Sequence, residues 1–263
     1  MKAFSPLLSS LAVQRRVIGA LLMREIITRY GRHNIGFLWL FVEPALFTAL
    51  ITLIWHYMKV SRVSSIPITA FAITGYSSLL LWRNIVRRGQ SAVSANNAVL
   101  YHRNVNTLDI FISRTIIEIA GVASSFVFLS IIFNYIGWMK PPEDLLKVVF
   151  AFIMLSWFGA SLGLIIGSLS ERFEVFGRLW RAMSYLLMIL SGLAYLVEWL
   201  PPAGQKFVLL FPMVHGLELL RDGYFGSGFT AHYDLFYMSI CCLCLMLLGL
   251  LLVNYSGRRI EPE

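Results

Sequence analysis

Arg114 and Glu118 stand four residues apart in a long apolar run, the spacing at which two side chains share a helix face and can pair. His215 and Glu218 stand three apart, which resembles half of a metal site, although a solvated or interhelical hydrogen bond accounts for them far better. Glu43 precedes Pro44 inside another apolar run, with no evident local partner, so interior pairing and the lining of a pathway both fit it. A charge at the centre of a bilayer costs roughly 2.5–3.5 kcal/mol on insertion scales, so each of these residues needs a partner or a task. Enzymatic chemistry is not evident. The chain has no G-x-x-x-x-G-K-[ST] loop, no H-E-x-x-H and no G-x-S-x-G elbow, so neither a catalytic residue nor a metal ligand is expected. Cys241, Cys242 and Cys244 lack metal spacing and read as packed thiols.

The elements that must hold these residues follow from composition. The 263 residues are 58% hydrophobic and 14% charged, with a mean hydropathy of +0.72, whereas globular domains carry roughly 25% charged residues. This is the composition of an integral membrane protein. Crossing the hydrocarbon takes about 20 apolar residues in a helix. Six stretches qualify: Leu38–Met58, Ile68–Ile85, Ile110–Ile136, Leu145–Leu169, Leu179–Val197 and Leu235–Val253. They are too continuous for barrel strands, and helices satisfy their own backbone in lipid. The expected fold is an all-α six-span bundle in one permease-like domain. Residues 1–35 form an N-terminal segment, 36–254 the bundle and 255–263 a tail.

Cations set the orientation. With both termini in the cytoplasm, the inner side holds Lys2, Arg15, Arg16, Arg24, Arg29, Arg32, Arg83, Arg87, Arg88, Arg103, Arg114, Arg172, Arg178, Arg181, Arg258 and Arg259. The outer side then holds only Lys59, Arg62, Lys140, Lys147, Lys206 and Arg221. The net charge of +8 is thus a topology signal. Its spread over short loops speaks against a nucleic-acid partner. No sustained apolar core precedes Arg15 and Arg16, so no cleavable signal peptide is expected.

Before the first span, Leu22, Met23, Ile26, Ile27 and Tyr30 fall on one helical arc, with Arg24, Glu25, Thr28, Arg29 and Arg32 opposite. Such a helix lies in the interface plane with its cations toward headgroups or a cytoplasmic partner, and Gly31 and Gly36 offer bends after it. Ser91–Leu100 is a candidate short helix in the loop between spans two and three, and "SERFEVFGR" a short charged loop between spans four and five. Gly159, Gly163 and Gly167 recur every four residues, the spacing that lets helices approach closely, here within the bundle. Between spans five and six, Pro201-Pro202 and Pro212 punctuate an apolar run too short to cross, and Pro212–Asp222, with Gly223 just past it, reads as a short helix. Two short helices that enter the outer leaflet and return fit this pattern, and such backbone is tolerated only under protein or water. Trp82, Trp138, Trp180 and Trp199 suit an interfacial belt, while Trp39, Trp55, Tyr57, Tyr185 and Tyr195 could line a passage, where aromatic faces suit sugars.

Three pieces carry a resemblance: "LLMREIITRYGRHNIGFLWLFVEP", "LYHRNVNTLDIFISRTIIE" and "LLFPMVHGLELLRDGYFG". In this order, within a six-span plan, they resemble the membrane permease of bacterial capsular-polysaccharide exporters, the KpsM-type members of the ABC type-2 exporters. In the second piece Asn104 and Thr107 stand near where that family often has proline. The resemblance implies a homodimer in the bacterial inner membrane above two separate ATPase subunits, which carry the ATP and magnesium, so that this chain binds no cofactor. It implies a lipid-linked, acidic polysaccharide as substrate, and periplasmic and outer-membrane export proteins as further partners. It places Arg24, Glu25, Arg29, Asn96, Asn97, Arg103 and Asp109 where the ATPase couples, and Trp39, Glu43, Trp55, Tyr57, Tyr185 and Tyr195 along the channel. His215, Glu218 and Arg221 fall on the hairpin closing its outer end. O-antigen or teichoic acid export is compatible with the same spans. An ion-coupled secondary transporter would show inverted repeats, and none is evident.

Overall fold

The computed structural model describes residues 4–30, 35–57, 66–96, 105–228 and 230–257, and it is all-helical there. Nine α-helices follow in order: α1 (Phe4–Tyr30), α2 (Ile35–Tyr57), α3 (Ile68–Gln90), α4 (Thr107–Tyr135), α5 (Leu145–Arg172), α6 (Glu174–Leu190), α7 (Pro202–Val208), α8 (Pro212–Phe225) and α9 (Leu235–Gly257). Three of them, α4, α5 and α9, are long and apolar enough to cross a membrane. Helices α5 and α9 begin at Leu145 and Leu235, as expected, and α4 begins at Thr107, three residues before the expected Ile110. Asn106 precedes α4, its backbone N–H donating to Asp109 Oδ2 at 2.9 Å, and Asp144 caps α5 by accepting from Lys147 N at 3.1 Å.

The other expected spans are less regular. Helix α2 continues through Pro44, and Gly36, expected as a bend, lies in its first turn. Helix α3 overruns Ile85 to Gln90. The fifth expected span, Leu179–Val197, is displaced: α6 starts at Glu174 and ends at Leu190, where Gly192 takes φ +83°. Its 17 residues reach about 25 Å, short of the roughly 30 Å core. The charged "SERFEVFGR" stretch is accordingly not a loop. Only Phe173 separates α5 from α6, and Glu174 pairs with Arg178 one turn on. Ser91–Asn96 is a turn ending in a single 3₁₀ turn, Ser94–Asn96, where a longer helix was expected, and residues 97–100, with Arg103, lie outside the described residues.

Helix α5 is the central post, packed on α3, α8 and α9. Its glycines serve close approach inside the bundle. A Cβ on Gly167 would meet Gly89 O and the Phe111 ring at 2.6 Å, and one on Gly159 would meet Trp82 Cα at 2.9 Å. Trp82, 1% exposed, fills the resulting core with Leu79, Leu81, Ile85 and Leu155. Overpacking such a contact costs about 1–3 kcal/mol. Gly167→Val should therefore lower the thermal midpoint of the purified chain by several degrees, while Gly19→Ala, with open space around the new methyl, should leave it unchanged or slightly raised. Equal midpoints for the two variants would contradict this packing.

In helix α1 the apolar arc is the exposed one, and the opposite arc meets the protein. Val17 and Leu21 pack on Ala92, Val93, Ile110 and Phe111, while Met23, Ile26 and Ile27 are exposed. Gln14, Val17, Leu21 and Arg24 recur three or four residues apart, so the stripe facing the protein is mixed polar and apolar. The charged side of its last turns is directed into the protein, not toward headgroups.

Candidate functional site

Two polar centres lie at opposite ends of α3, about 25 Å apart along its axis. The first joins α1, the end of α3 and the start of α4. Arg24 Nη2 donates to Asn96 Oδ1, and Asn96 Nδ2 donates to Ala92 O at 2.8 Å. Glu25 Oε1 lies 3.6 Å from Arg114 Nε, and Arg114 Nη1 donates to Arg88 O at 2.9 Å and to Ser91 Oγ at 3.1 Å. Arg88 Nε donates to Glu118 Oε1 at 3.2 Å. The expected Arg114–Glu118 pair along α4 is thus replaced by partners on other helices, because both side chains are buried where α1 and α3 converge. Gln14 Nε2 donates to Asp109 Oδ1, whose other oxygen caps α4, and Asp109 is fully buried. Gln90 Nε2 donates to Gly177 O at 2.8 Å and brings in the start of α6. Arg114 pairs with Glu25 and Arg88 with Glu118, while Arg24 and Asp109 hold the amides of Asn96 and Gln14, three cations beside three carboxylates. The charge balances, as buried ions require. The backbone of Arg29 belongs to α1, and its side chain lies outside the described residues.

The second centre is built on α8. Sequence reasoning stopped this helix at Asp222, but it continues through Gly223 to Phe225. Gly223 provides space: a Cβ there would meet Val148 N at 2.9 Å and Asp144 O at 3.0 Å on α5. The polar residues of α8 satisfy irregular backbone around it. Arg221, fully buried, donates from Nη1 to Tyr195 O at 2.7 Å and from Nη2 to Leu193 O at 3.4 Å. Its guanidinium lies 4.3 Å from the Phe71 ring centroid. Burial lowers its pKa to about 10, so it stays charged at neutral pH. Glu218 stands 3.9 Å from Arg221 and accepts from Val197 N at 3.5 Å and His232 N at 3.1 Å. His215 Nε2 meets Leu209 O at 2.7 Å, while Asp234 N donates to Nδ1 at 2.9 Å. This pattern fixes the neutral tautomer with its proton on Nε2. His215 and Glu218 are therefore backbone anchors for the segments before and after α8. Tyr195 Oη donates to Leu190 O at 2.9 Å and closes the end of α6. At the edge of this centre Lys147 Nζ and Tyr233 Oη share Asp222 Oδ2, each at 2.8 Å.

Burial pushes the pKa of His215 below its ordinary value, so the unfolded chain binds the proton more readily than the folded one. Stability from this site is complete above about pH 6.5 and is lost as the pH falls below it. The thermal midpoint should drop between pH 7.5 and 5.5, and His215→Gln should flatten that drop. An unchanged pH dependence in the variant would assign the effect elsewhere.

Of the expected channel residues, Glu43 is exposed on α2 and accepts from Tyr76 Oη at 3.2 Å, a partner the sequence did not reveal. Tyr185 is exposed on α6, with Arg83 Cζ 5.0 Å from its ring centroid. Tyr195 belongs to the second centre, away from both. Trp39, Trp55 and Tyr57 sit in α2, and their side chains lie outside the described residues. Sequence reasoning missed Gln14, Tyr76, Arg83, Arg88 and Gln90, and only helical spacing along α3 could have flagged the last four. An apolar cavity of about 790 Å³ opens between α4 and α5, among Phe126, Val127, Leu145 and Phe152. It offers a polymer little to hydrogen-bond. Among the described residues, no group of three His, Cys, Asp or Glu side chains is placed to hold a metal.

Comparison with known proteins bears on this arrangement. A family model described as ABC-2 type transporter matches residues 16–225. The chain is 46% identical over 254 residues to the capsule polysaccharide export inner-membrane protein CtrC of Neisseria meningitidis serogroup B, covering 97% of this chain and 96% of that protein. It is 41% identical over 254 residues to the capsule polysaccharide export inner-membrane protein BexB of Haemophilus influenzae, with the same coverage. It is 24% identical over 244 residues to the polysialic acid transport protein KpsM of Escherichia coli, covering 93% and 95% of the two chains.

Proposed function

The chain belongs to the ABC-2 type transporter family, and from that premise we propose that it is the transmembrane subunit of an ATP-driven exporter of capsular polysaccharide in the bacterial inner membrane. The observation that carries this is the end-to-end match, 97% of the chain, to inner-membrane proteins named for capsule polysaccharide export. The subunit works as a homodimer over two ATPase subunits that bind ATP and magnesium, and it passes a lipid-linked, acidic polymer to periplasmic and outer-membrane partners. Six crossings are made by α2, α3, α4, α5, α6 with the irregular segment after it, and α9, with both termini cytoplasmic and one permease domain throughout. Helix α1 lies along the inner surface with Met23, Ile26 and Ile27 toward lipid, and α7 and α8 form the re-entrant pair at the outer end.

The two polar centres suit this task. At the inner end the salt-bridged junction ties α1 to the Ser91–Asn96 turn, so a push from an ATPase on that turn moves α1, α3 and α4 together. Asp109, being buried, acts through the junction rather than on the ATPase surface. At the outer end α8 is packed into the protein and anchors its neighbours, whereas Pro202, Ala203, Lys206 and Phe207 of α7 are exposed. Outward opening therefore belongs to α7, hinged on α8, in preference to α8 itself. Only different contacts in the open and closed states can drive such a change.

Affinity purification of the tagged chain from its own membranes tests the assembly. A stoichiometric ATPase subunit should co-purify, and ATP hydrolysis should follow that subunit. Repeated recovery of the chain without an ATPase would favour an ion-coupled transporter.

A further inference from the structure

Helices α4 and α5 both pack on α3 but touch each other little, and the apolar cavity of about 790 Å³ is the groove left between them. It runs from Ile119 to Tyr135, about 24 Å along α4, and its mouth lies at Pro141 beside the connecting loop. Its floor is the core itself. The Phe126 ring lies 5.0 Å from Phe152 and 6.3 Å from Tyr224 of α8, centroid to centroid. Its lips are exposed aliphatic side chains, Val127 and Ile131 on α4, Val149 and Ile153 on α5.

A second transmembrane helix fits this groove poorly, because helices in lipid approach closely over small residues, and here the floor is aromatic. A flexible hydrocarbon chain can follow it. One leaflet's hydrocarbon is about 15 Å deep, so the groove is long enough for a whole acyl chain. Its polar groups are ordered along its length as those of a phospholipid are. At the inner end Ser156 is satisfied by Phe152 O at 2.6 Å. Ser130 Oγ, about 8 Å below Tyr135, is buried with no hydrogen-bond partner, and Tyr224 Oη beside it donates to Lys140 O at 2.8 Å. Asn134 and Tyr135 line the mouth and are exposed. Lys140, next to Pro141, is exposed and has no acidic partner among the described residues, since Glu143 is turned against Gly226 and Asp144 caps α5. Trp138, stacked on Phe133 at 5.9 Å, places this end at headgroup level.

We propose that the α4–α5 groove is a site for one resident membrane phospholipid, with an acyl chain over Phe126 and Phe152, an ester carbonyl accepting from Ser130 Oγ and the phosphate beside Lys140. The apolar lining selects the chain, the orphaned hydroxyl selects the ester, and the unpaired cation selects the phosphate. This goes beyond the export reading and needs only that α4 and α5 cross the membrane. The bound chain covers the Tyr224 face of α8 and so completes the packing of the outer centre from the lipid side. A lipid that binds the folded chain and not the unfolded one raises its stability by mass action.

The test is native mass spectrometry of the full-length chain purified in mild detergent, followed by add-back of dioleoyl-phosphatidylglycerol or of phosphate-free dioleoylglycerol. The wild type should retain one phospholipid per chain, and phosphatidylglycerol added after delipidation should raise its thermal midpoint by several degrees. Ala123→Phe and, at an exposed lip, Val127→Trp fill the groove from within. Each should cut lipid retention at least tenfold and abolish the midpoint response. Leu146→Trp, exposed on α5 outside the groove, should behave as wild type. Lys140→Glu should weaken phosphatidylglycerol binding at least threefold and leave dioleoylglycerol binding unchanged. A wild type that retains no stoichiometric lipid would overturn the proposal, as would retention that survives both groove-filling substitutions. A retained mass that includes sugar would give the groove to exported cargo instead. A self-association lost in both filled variants, with no lipid on the wild type, would give it to a second copy of the chain. Equal binding of both probes by wild type and Lys140→Glu would remove the phosphate from the site.

Discussion

Arg221→Met should deplete the folded protein from the membrane. The guanidinium is fully buried, holds the carbonyls of Leu193 and Tyr195, packs over Phe71 and stands beside Glu218, itself 1% exposed. Methionine fills the volume but leaves two carbonyls unsatisfied and a carboxylate without its counter-charge. Removing one partner of a buried pair costs about 3–5 kcal/mol, a large share of the 5–15 kcal/mol by which folded proteins are stable. The monodisperse fraction on fluorescence-detected size exclusion should fall several-fold. Adding Glu218→Gln should restore part of it, because the stranded charge disappears while the one amide oxygen still accepts from Val197 N or His232 N. A single variant as abundant and monodisperse as wild type would show that this centre does not hold the outer end together.

Glu25→Arg should leave the chain inserted and stop its function. The junction balances three cations and three carboxylates, and the substitution takes it to a net charge of +2 around the buried Arg114. Glu25 is partly exposed, so the cost falls toward the lower end of the range for buried pairs, about 3 kcal/mol. That is enough to detach α1 without unfolding α4 and α5, whose cores lie elsewhere. Backbone amide exchange should rise in α1 and in the Ala92–Asn96 turn, and surface capsule should fall at least tenfold at unchanged protein level. Arg114→Glu in the same chain should recover only part of the loss, because Arg114 also holds Arg88 O and Ser91 Oγ. Wild-type export by Glu25→Arg would separate α1 from the coupling route.

Elements fixed by their own composition were legible in the sequence. The starts of α5 and α9 fall at Leu145 and Leu235, as the apolar runs indicate, and Pro212 opens α8 because a proline at the first helical position gives up a donor that would be unpaired anyway. Features set by the rest of the fold were not. Gly223 looks like a helix stop, yet it is glycine because the α5 backbone passes within 3 Å of where its Cβ would be. Arg114 and Glu118 have the spacing of a local pair, but the convergence of α1 and α3 offers each a partner on another helix. The end of α6 depends on Gly192 and on Arg221, which is distant in sequence, so Leu179–Val197 was placed several residues late. Along the candidate site, His215, Glu218 and Arg221 were found together because they share a short helix. Arg83 and Arg87 were read only as topology residues, and Tyr76 was not singled out, since its bond to Glu43 joins two helices.

The most direct measurement is the location of capsular polymer in cells from which this chain has been deleted and then restored. Immunogold labelling of polymer on sectioned cells should show it accumulating inside the deletion strain with a bare surface, and returning to the surface when the intact chain is supplied. A deletion strain that carries surface capsule at the wild-type level would contradict the assignment of this protein as the exporter's transmembrane subunit.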